Sequence, residues 1–302
     1  MILKEAIDKF LIYCEEKGLD SKTIKAYRLD LKQFLQFAQE NSIEEICDIT
    51  PDFIMRINTV WQENLKNRTA YRKNASLKVF MSYLWEYGYT EKKLYESVNI
   101  KLKREKLDAP LVVAVNDIQK LLKILEEKWN DAEDEQESKI YLRNLVIIEM
   151  FIYSGLRVSE ICNLNFSDII LTEESYIIQI KGNRKRNVCV SNKKAAEHFK
   201  LYSRLYRFEL YNETALFFNY RGKPISEQAV RRIVKKFAEP LNFNLTPKIL
   251  RNTLALNIAK RTQNPRELQF ILGDRSFSST ERHLERKESL PMYVIATENI
   301  YR

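Results

Sequence analysis

Four separated stretches in the second half of this chain carry residues that can grip a phosphate. SGLRVSEI holds Arg157 at the start of a helix, with Glu160 one turn further on. IKGNRKR places Lys181 at the tip of a hairpin, 24 residues after Arg157, and adds Arg184, Lys185 and Arg186 around it. TPKILRNTLA sets Lys248 and Arg251 three apart, on one face of a helix. LGDRSFSSTERHL carries Asp274, 23 residues after Arg251, and His283 nine residues later. Guanidiniums stay charged at any relevant pH and present a fork that fits phosphate oxygens, while an ammonium acts as a compact point charge.

The elements that must hold these groups are read from periodicity and turn residues. In the first half, Leu3, Ile7, Phe10, Leu11 and Cys14 fall on one helical face that ends at Gly18. Ser21 is expected to cap a second helix, which carries Ile24, Tyr27, Leu31, Phe34, Leu35 and Ala38 at helical spacing. A shorter pattern occupies 51–65. A long one runs from about Arg68 to Tyr87 and stops at Gly88, with Leu77, Phe80, Met81 and Leu84 toward a core. Arg68, Arg72, Lys73 and Lys78 on that helix are, with Arg184, Lys185 and Arg186, candidate contacts for a phosphate backbone. KLKREKLDAP (101–110) is charged, holds a proline and has no apolar period, so it reads as a linker. Two domains follow, 1–105 and 111–302.

In the second domain, the acidic run from Glu126 to Glu137 reads as a solvated loop, and a helix is expected over about 139–153. YIIQIKGNRKRNVCV (176–190) has two β-rich arms about a Gly-Asn turn, the mark of a β-hairpin. Helices fill most of 193–288, and Phe217-Phe218 is expected to add one short strand. The fold class is therefore mainly α with a small β-hairpin or sheet.

Composition bounds the partners. The chain has 302 residues and a formal charge of +9, which favours a polyanion. The charge is uneven: residues 1–105 hold 18 basic against 16 acidic residues, and the remainder 32 against 25. With only His198 and His283 in the chain, a metal site built on imidazoles is not expected. Cys14, Cys47, Cys162 and Cys189 read as reduced core residues, not as a disulfide framework or zinc site. The first segment is amphipathic and broken by Lys4, Glu5, Asp8 and Lys9, so neither a signal peptide nor a membrane span is expected. The expected setting is the cytoplasm, with no cofactor, no small-molecule substrate and no membrane.

In this order and at these separations, the four segments resemble the tyrosine recombinases, or phage-type integrases, which include the Xer-like resolvases. The resemblance spans the chain. It implies an N-terminal helical core-binding (SAM-like) domain and a tyrosine-recombinase catalytic-type domain, closed as a clamp on duplex DNA, with several protomers assembled there. A tail from about residue 289 would dock on a neighbouring protomer. In the family a tyrosine attacks the scissile phosphate without metal or nucleotide. The resemblance makes Arg157 and Arg251 the forks on the non-bridging oxygens, where charge gathers in the transition state. It makes Lys181 the acid for the leaving 5′-oxygen, and Glu160 the group that orients Arg157.

Three positions depart from the family pattern. Lys248 stands where histidine, less often lysine, is found. Asp274 stands where the family has histidine or tryptophan, and a carboxylate there opposes the charge build-up at phosphorus. His283 occupies the slot of the tyrosine; an imidazole attack would give a labile phosphoramidate. Three readings stay open: a DNA-binding recombinase relative impaired in cleavage, an active recombinase with a displaced nucleophile such as Tyr293, and a protein-interaction scaffold with incidental basic charge.

Overall fold

The computed structural model describes residues 1–99, 111–182, 185–206, 215–241, 244–261, 268–269 and 272–273. Two compact units emerge, Met1–Leu107 and Asp108–Arg302, each with a hydrophobic core of its own.

The first unit is built from α1 (Leu3–Glu16), α2 (Ser21–Glu40), α3 (Pro51–Asn64) and α4 (Asn67–Glu86), with short 3-10 turns at Ile46–Asp48 and Leu94–Ser97. Phe10, Phe34, Leu77, Phe80, Met81 and Leu84 are fully buried at its centre. Asp20, not Ser21, caps α2: its side chain accepts from the Lys22 N–H at 2.7 Å, and Ser21 is already helical. Thr50 caps α3 by accepting from the Phe53 N–H, with Pro51 in the first turn, where its missing N–H costs nothing. Asn58 and Asn74, both buried, donate to the Ser97 and Asn99 carbonyls and pin the segment after α4 to the bundle.

The second unit runs α5 (Val115–Asn130), α6 (Glu135–Ser154), α7 (Val158–Cys162), β1 (Ile169–Leu171), β2 (Tyr176–Ile180), β3 (Arg186–Val190), α8 (Lys193–Tyr206), α9 (Glu227–Ala238) and α10 (Pro247–Arg261). From Leu142 to Ile152 every residue of α6 is buried, so this helix forms the unit's axis. The strands make one antiparallel sheet in the order β1-β2-β3. Ile180 pairs with Arg186, which leaves residues 181–185 as a five-residue loop, wider than a two-residue Gly-Asn turn. Tyr176, Ile178, Val188 and Val190 point inward, and Tyr176 stacks on Phe199 of α8 at 4.7 Å.

Several expectations need correction. The acidic run is largely helical: α5 extends to Asn130, and Asp134 caps α6 by accepting from the Glu137 N–H at 2.7 Å. Glu135 and Glu137 then sit in a first turn, where the helix dipole favours acids. Phe217-Phe218 forms no strand; Phe218 makes only an isolated bridge to Pro224, which has no N–H to give to a ladder. Ile169–Leu171 supplies the third strand instead, and its alternation was hidden in three residues. Cys14 is buried but Cys47 is exposed, so Cys47 is no core residue; none of the four cysteines is in a disulfide. Residues 101–110, and the tail from about 289, lie outside the described residues.

Candidate phosphate-binding pocket

Arg157 owes its place to the end of α6. Gly155 closes that helix in the left-handed conformation (φ 61°), and a Cβ there would lie 2.8 Å from Leu254 Cδ2 of α10. The chain therefore turns sharply against α10. Leu156 is buried, and Arg157 becomes the extended N-cap of α7. One turn later Glu160 reaches back, accepting from the Arg157 N–H at 2.8 Å and from Arg157 Nη1 at 3.1 Å.

From α10, Arg251 reaches the same place. Its Nη1 donates to the Gly155 carbonyl and its Nη2 to the Leu272 carbonyl at 2.7 Å. Arg157 Nη2 donates to the next carbonyl, that of Gly273, at 2.9 Å. Two guanidiniums separated by 94 positions in the chain thus meet on consecutive peptide groups. Both are partly exposed. Arg186 joins them from β3, donating to both Glu160 oxygens at 2.9 and 3.0 Å. Three guanidiniums and one carboxylate leave an excess of positive charge here among the described residues, the field an anion would seek. Burial alone would push the Glu160 carboxyl up, but hydrogen bonds from Arg186 and the Arg157 backbone, with both charges, hold it below its usual value.

Lys181 leaves the sheet one residue after Ile180, the register partner of Arg186. Its ammonium, 69% exposed, lies 2.5 Å from Asp168 Oδ1, while that carboxylate is only 4% exposed. Asp168 is fixed in turn by accepting the Asn165 N–H on Oδ2 at 2.9 Å. Lys248 is exposed on α10, one turn before Arg251. Asp274, His283, Tyr293 and Arg184 lie outside the described residues.

The remaining candidates divide. Lys185 is exposed, as are Arg68 and Arg72 on α4, whereas Lys78 is half-buried. Arg72 pairs with the buried Asp30, which also accepts from Ser76 Oγ at 2.8 Å. Lys73 faces inward: it is buried, lies 5.4 Å from the Trp61 ring centre and donates to Gln33. Burial pushes its ammonium pKa down, against the pull of Asp30. Lys73, expected among the DNA contacts, is thus placed in the packing between α4, Trp61 and Gln33. Arg186 is likewise turned inward, its side chain 2% exposed and engaged with Glu160. The signal for Arg186 was in the sequence, because Arg186, Val188 and Val190 alternate onto one strand face. Asp168 had no such signal; only the fold brings it to Lys181.

Comparison with known proteins accords with this geometry. Residues 112–289 match the phage integrase family, and residues 7–88 match the phage integrase N-terminal SAM-like domain. A tyrosine recombinase of Agathobacter rectalis is 30% identical over 282 residues, covering 92% of this chain and 91% of that protein. Tyrosine recombinase XerC of Thermodesulfovibrio yellowstonii is 32% identical over 294 residues, covering 92% and 91%. Among solved structures, a lambda integrase dimer bound to a COC′ core site covers 98% of this chain and 81% of its own, with a TM-score of 0.70 at 15% identity. XerH recombinase bound to a palindromic difH substrate covers 88% and 76%, with a TM-score of 0.68 at 20% identity. These two carry the fold. With both domain types matched in series and the curated relatives aligned along nearly their whole length, the chain belongs to the phage integrase family of tyrosine recombinases.

Proposed function

We propose that this protein binds duplex DNA in site-specific recombination or integration, and that its own strand cleavage is impaired because His283 stands in the slot of the nucleophilic tyrosine. The observation that carries the reading is the meeting of Arg157 and Arg251 on the Leu272 and Gly273 carbonyls, with Glu160 fixing Arg157. Guanidiniums so held are oriented before a phosphate arrives, and a preorganised cation loses little on binding. Lys185, Arg68 and Arg72 are exposed where they can add backbone contacts. Partners are duplex DNA and further copies of this or a related chain, by likeness to the DNA-bound lambda integrase dimer and tetramer. The reading needs no metal or cofactor, and it assigns the protein to the cytoplasm, where its DNA lies. Among the described residues no helix is long and apolar enough to cross a membrane.

A second reading keeps cleavage through a displaced phenol such as Tyr293, favoured by the retention of Arg157, Lys181 and Arg251 together. A nicked suicide duplex carrying the recognition site separates the two. Under the first reading the wild-type chain leaves no covalent protein–DNA adduct, and His283→Tyr gains one. An adduct formed by wild type and lost in Tyr293→Phe would establish the second. Duplex affinity that does not change with salt would remove both and leave a scaffold, since phosphate binding weakens steeply as salt rises.

A further inference from the structure

We infer that Arg186 is a positioning residue that holds Arg157 in its phosphate-gripping orientation, and that it does not itself contact DNA; this rests on the proposed reading of the pocket. Arg186 opens β3, and strand alternation turns it inward with Val188 and Val190. Its fork closes on both oxygens of Glu160 at 2.9 and 3.0 Å. The same carboxylate accepts Arg157 Nη1 at 3.1 Å and the Arg157 N–H at 2.8 Å. Glu160 is thus a bridge with one guanidinium on either side. Remove Arg186, and a buried carboxylate keeps only the Arg157 contacts, free to rotate or to take a proton.

The opposite face of Arg186 lies on Gly273. A Cβ built there would sit 2.6 Å from Arg186 Nη1 and 2.8 Å from Cζ, so the space a side chain would fill is already taken by the guanidinium. Gly273 also gives its carbonyl to Arg157 Nη2 at 2.9 Å. Arg186 therefore lies against both groups that hold Arg157, Glu160 and Gly273. It also pairs with Ile180 at the mouth of the loop from which Lys181 departs. One buried guanidinium ties the hairpin, α7 and the 272–273 segment into a single arrangement. Lysine would give a point donor in place of the fork, and methionine would fill the space without donating.

The test compares Arg157→Met, Arg186→Met, Arg186→Lys and Lys185→Met with the two doubles Arg157→Met/Arg186→Met and Arg157→Met/Lys185→Met. Each full-length protein is first shown to be folded by its thermal transition. Affinity for an arbitrary duplex of about 30 base pairs is then read by fluorescence anisotropy across a salt series. Loss of Arg157 should weaken binding roughly tenfold. Arg186→Met should cost a similar factor, Arg186→Lys should recover part of it, and the Arg157/Arg186 double should be no weaker than Arg157→Met. The exposed Lys185 acts independently, so its loss should multiply with that of Arg157. Multiplying losses for Arg157 and Arg186, or a folded Arg186→Met that binds like wild type, would overturn the inference.

A DNA-free arm reads the Arg157 Nε–Hε resonance, sharp in wild type and expected to shift and broaden in Arg186→Met but not in Lys185→Met. An unchanged resonance also overturns the inference, whatever the duplex does. A wild-type chain that ignores duplex DNA would sink the proposed function, while the resonance still decides the role of Arg186. Should Arg186→Met not fold, Arg186→Lys carries both measurements.

Discussion

Glu160 accepts two N–H groups from Arg186 and two from Arg157, and without them burial would have made its carboxyl harder to ionise. Replacing it by glutamine leaves the guanidinium of Arg186 buried without its counter-charge, and breaking such a pair typically costs about 3–5 kcal/mol. Glu160→Gln should lower stability on that scale at pH 7, measured by urea unfolding. The dependence on pH has a defined sign. The folded carboxyl titrates below its unfolded value, so its contribution is fully present above the ordinary 4.5 and drains as pH falls through the folded value. The gap between wild type and Glu160→Gln should therefore narrow on acidification below about pH 4.5; a gap that widens there would contradict the assignment. At this scale the sequence was legible for Glu160, whose spacing from Arg157 is one helical turn. Asp168 was not legible, since its partner lies 13 positions away across a sheet.

Helices α6 and α8 of the second unit are joined by a buried polar pair. His198 Nδ1 of α8 lies 2.8 Å from Glu149 Oε1 of α6, with the Trp129 ring edge-on to the imidazole at 5.6 Å. Burial pushes the Glu149 carboxyl up, with His198 pulling against it, and Glu149 Oε2 has no hydrogen-bond partner among the described residues. A carboxyl raised above its unfolded value is stabilising while protonated, and that stability is lost as pH rises through the folded value. Glu149→Gln keeps an acceptor for His198 and removes the charge that burial opposes. At pH 8 it should be neutral or stabilising by about 1 kcal/mol, checked by urea unfolding. A loss above roughly 2 kcal/mol would contradict this, since it approaches the usual cost of breaking a buried ion pair. The helices α1, α3 and α4 followed their apolar period and end signals within a residue or two. The acidic run did not, because seven acids against one lysine mask a helix end and a capped helix start. Charge density speaks to solvation; the buried Leu125 and the Asp134 cap decide the backbone.

As a whole molecule the chain has a main core in each unit, and the second unit holds a further cluster around Leu254, Ile258, Leu268 and Leu272. Phe10, Phe34 and Phe80 are fully buried in the core cluster of the first unit, and Phe151, Tyr176 and Phe199 in that of the second. A domain with its own closed core folds alone. A fragment ending at residue 100 should give a helical far-ultraviolet spectrum and one cooperative urea transition. A spectrum of an unfolded chain would show that the first unit needs the second.

Periodicity, end signals and the order of four charged segments determined by themselves the mainly helical class, the hairpin, and the residues around which a phosphate grip would be built. Those are local or linear properties, set by side-chain spacing of 3.6 or 2 and by distances along the chain. Which cations face an anion and which are consumed inside the protein was decided only by tertiary structure. Arg186 and Lys185 are neighbours of like charge, yet one is spent on Glu160 and the other stays in solvent. The physical reason is that a charge is neutralised or displayed according to what lies within a few ångströms in space, and Glu160 and Gly273, 26 and 87 positions away along the chain, reach Arg186 only once it has folded back.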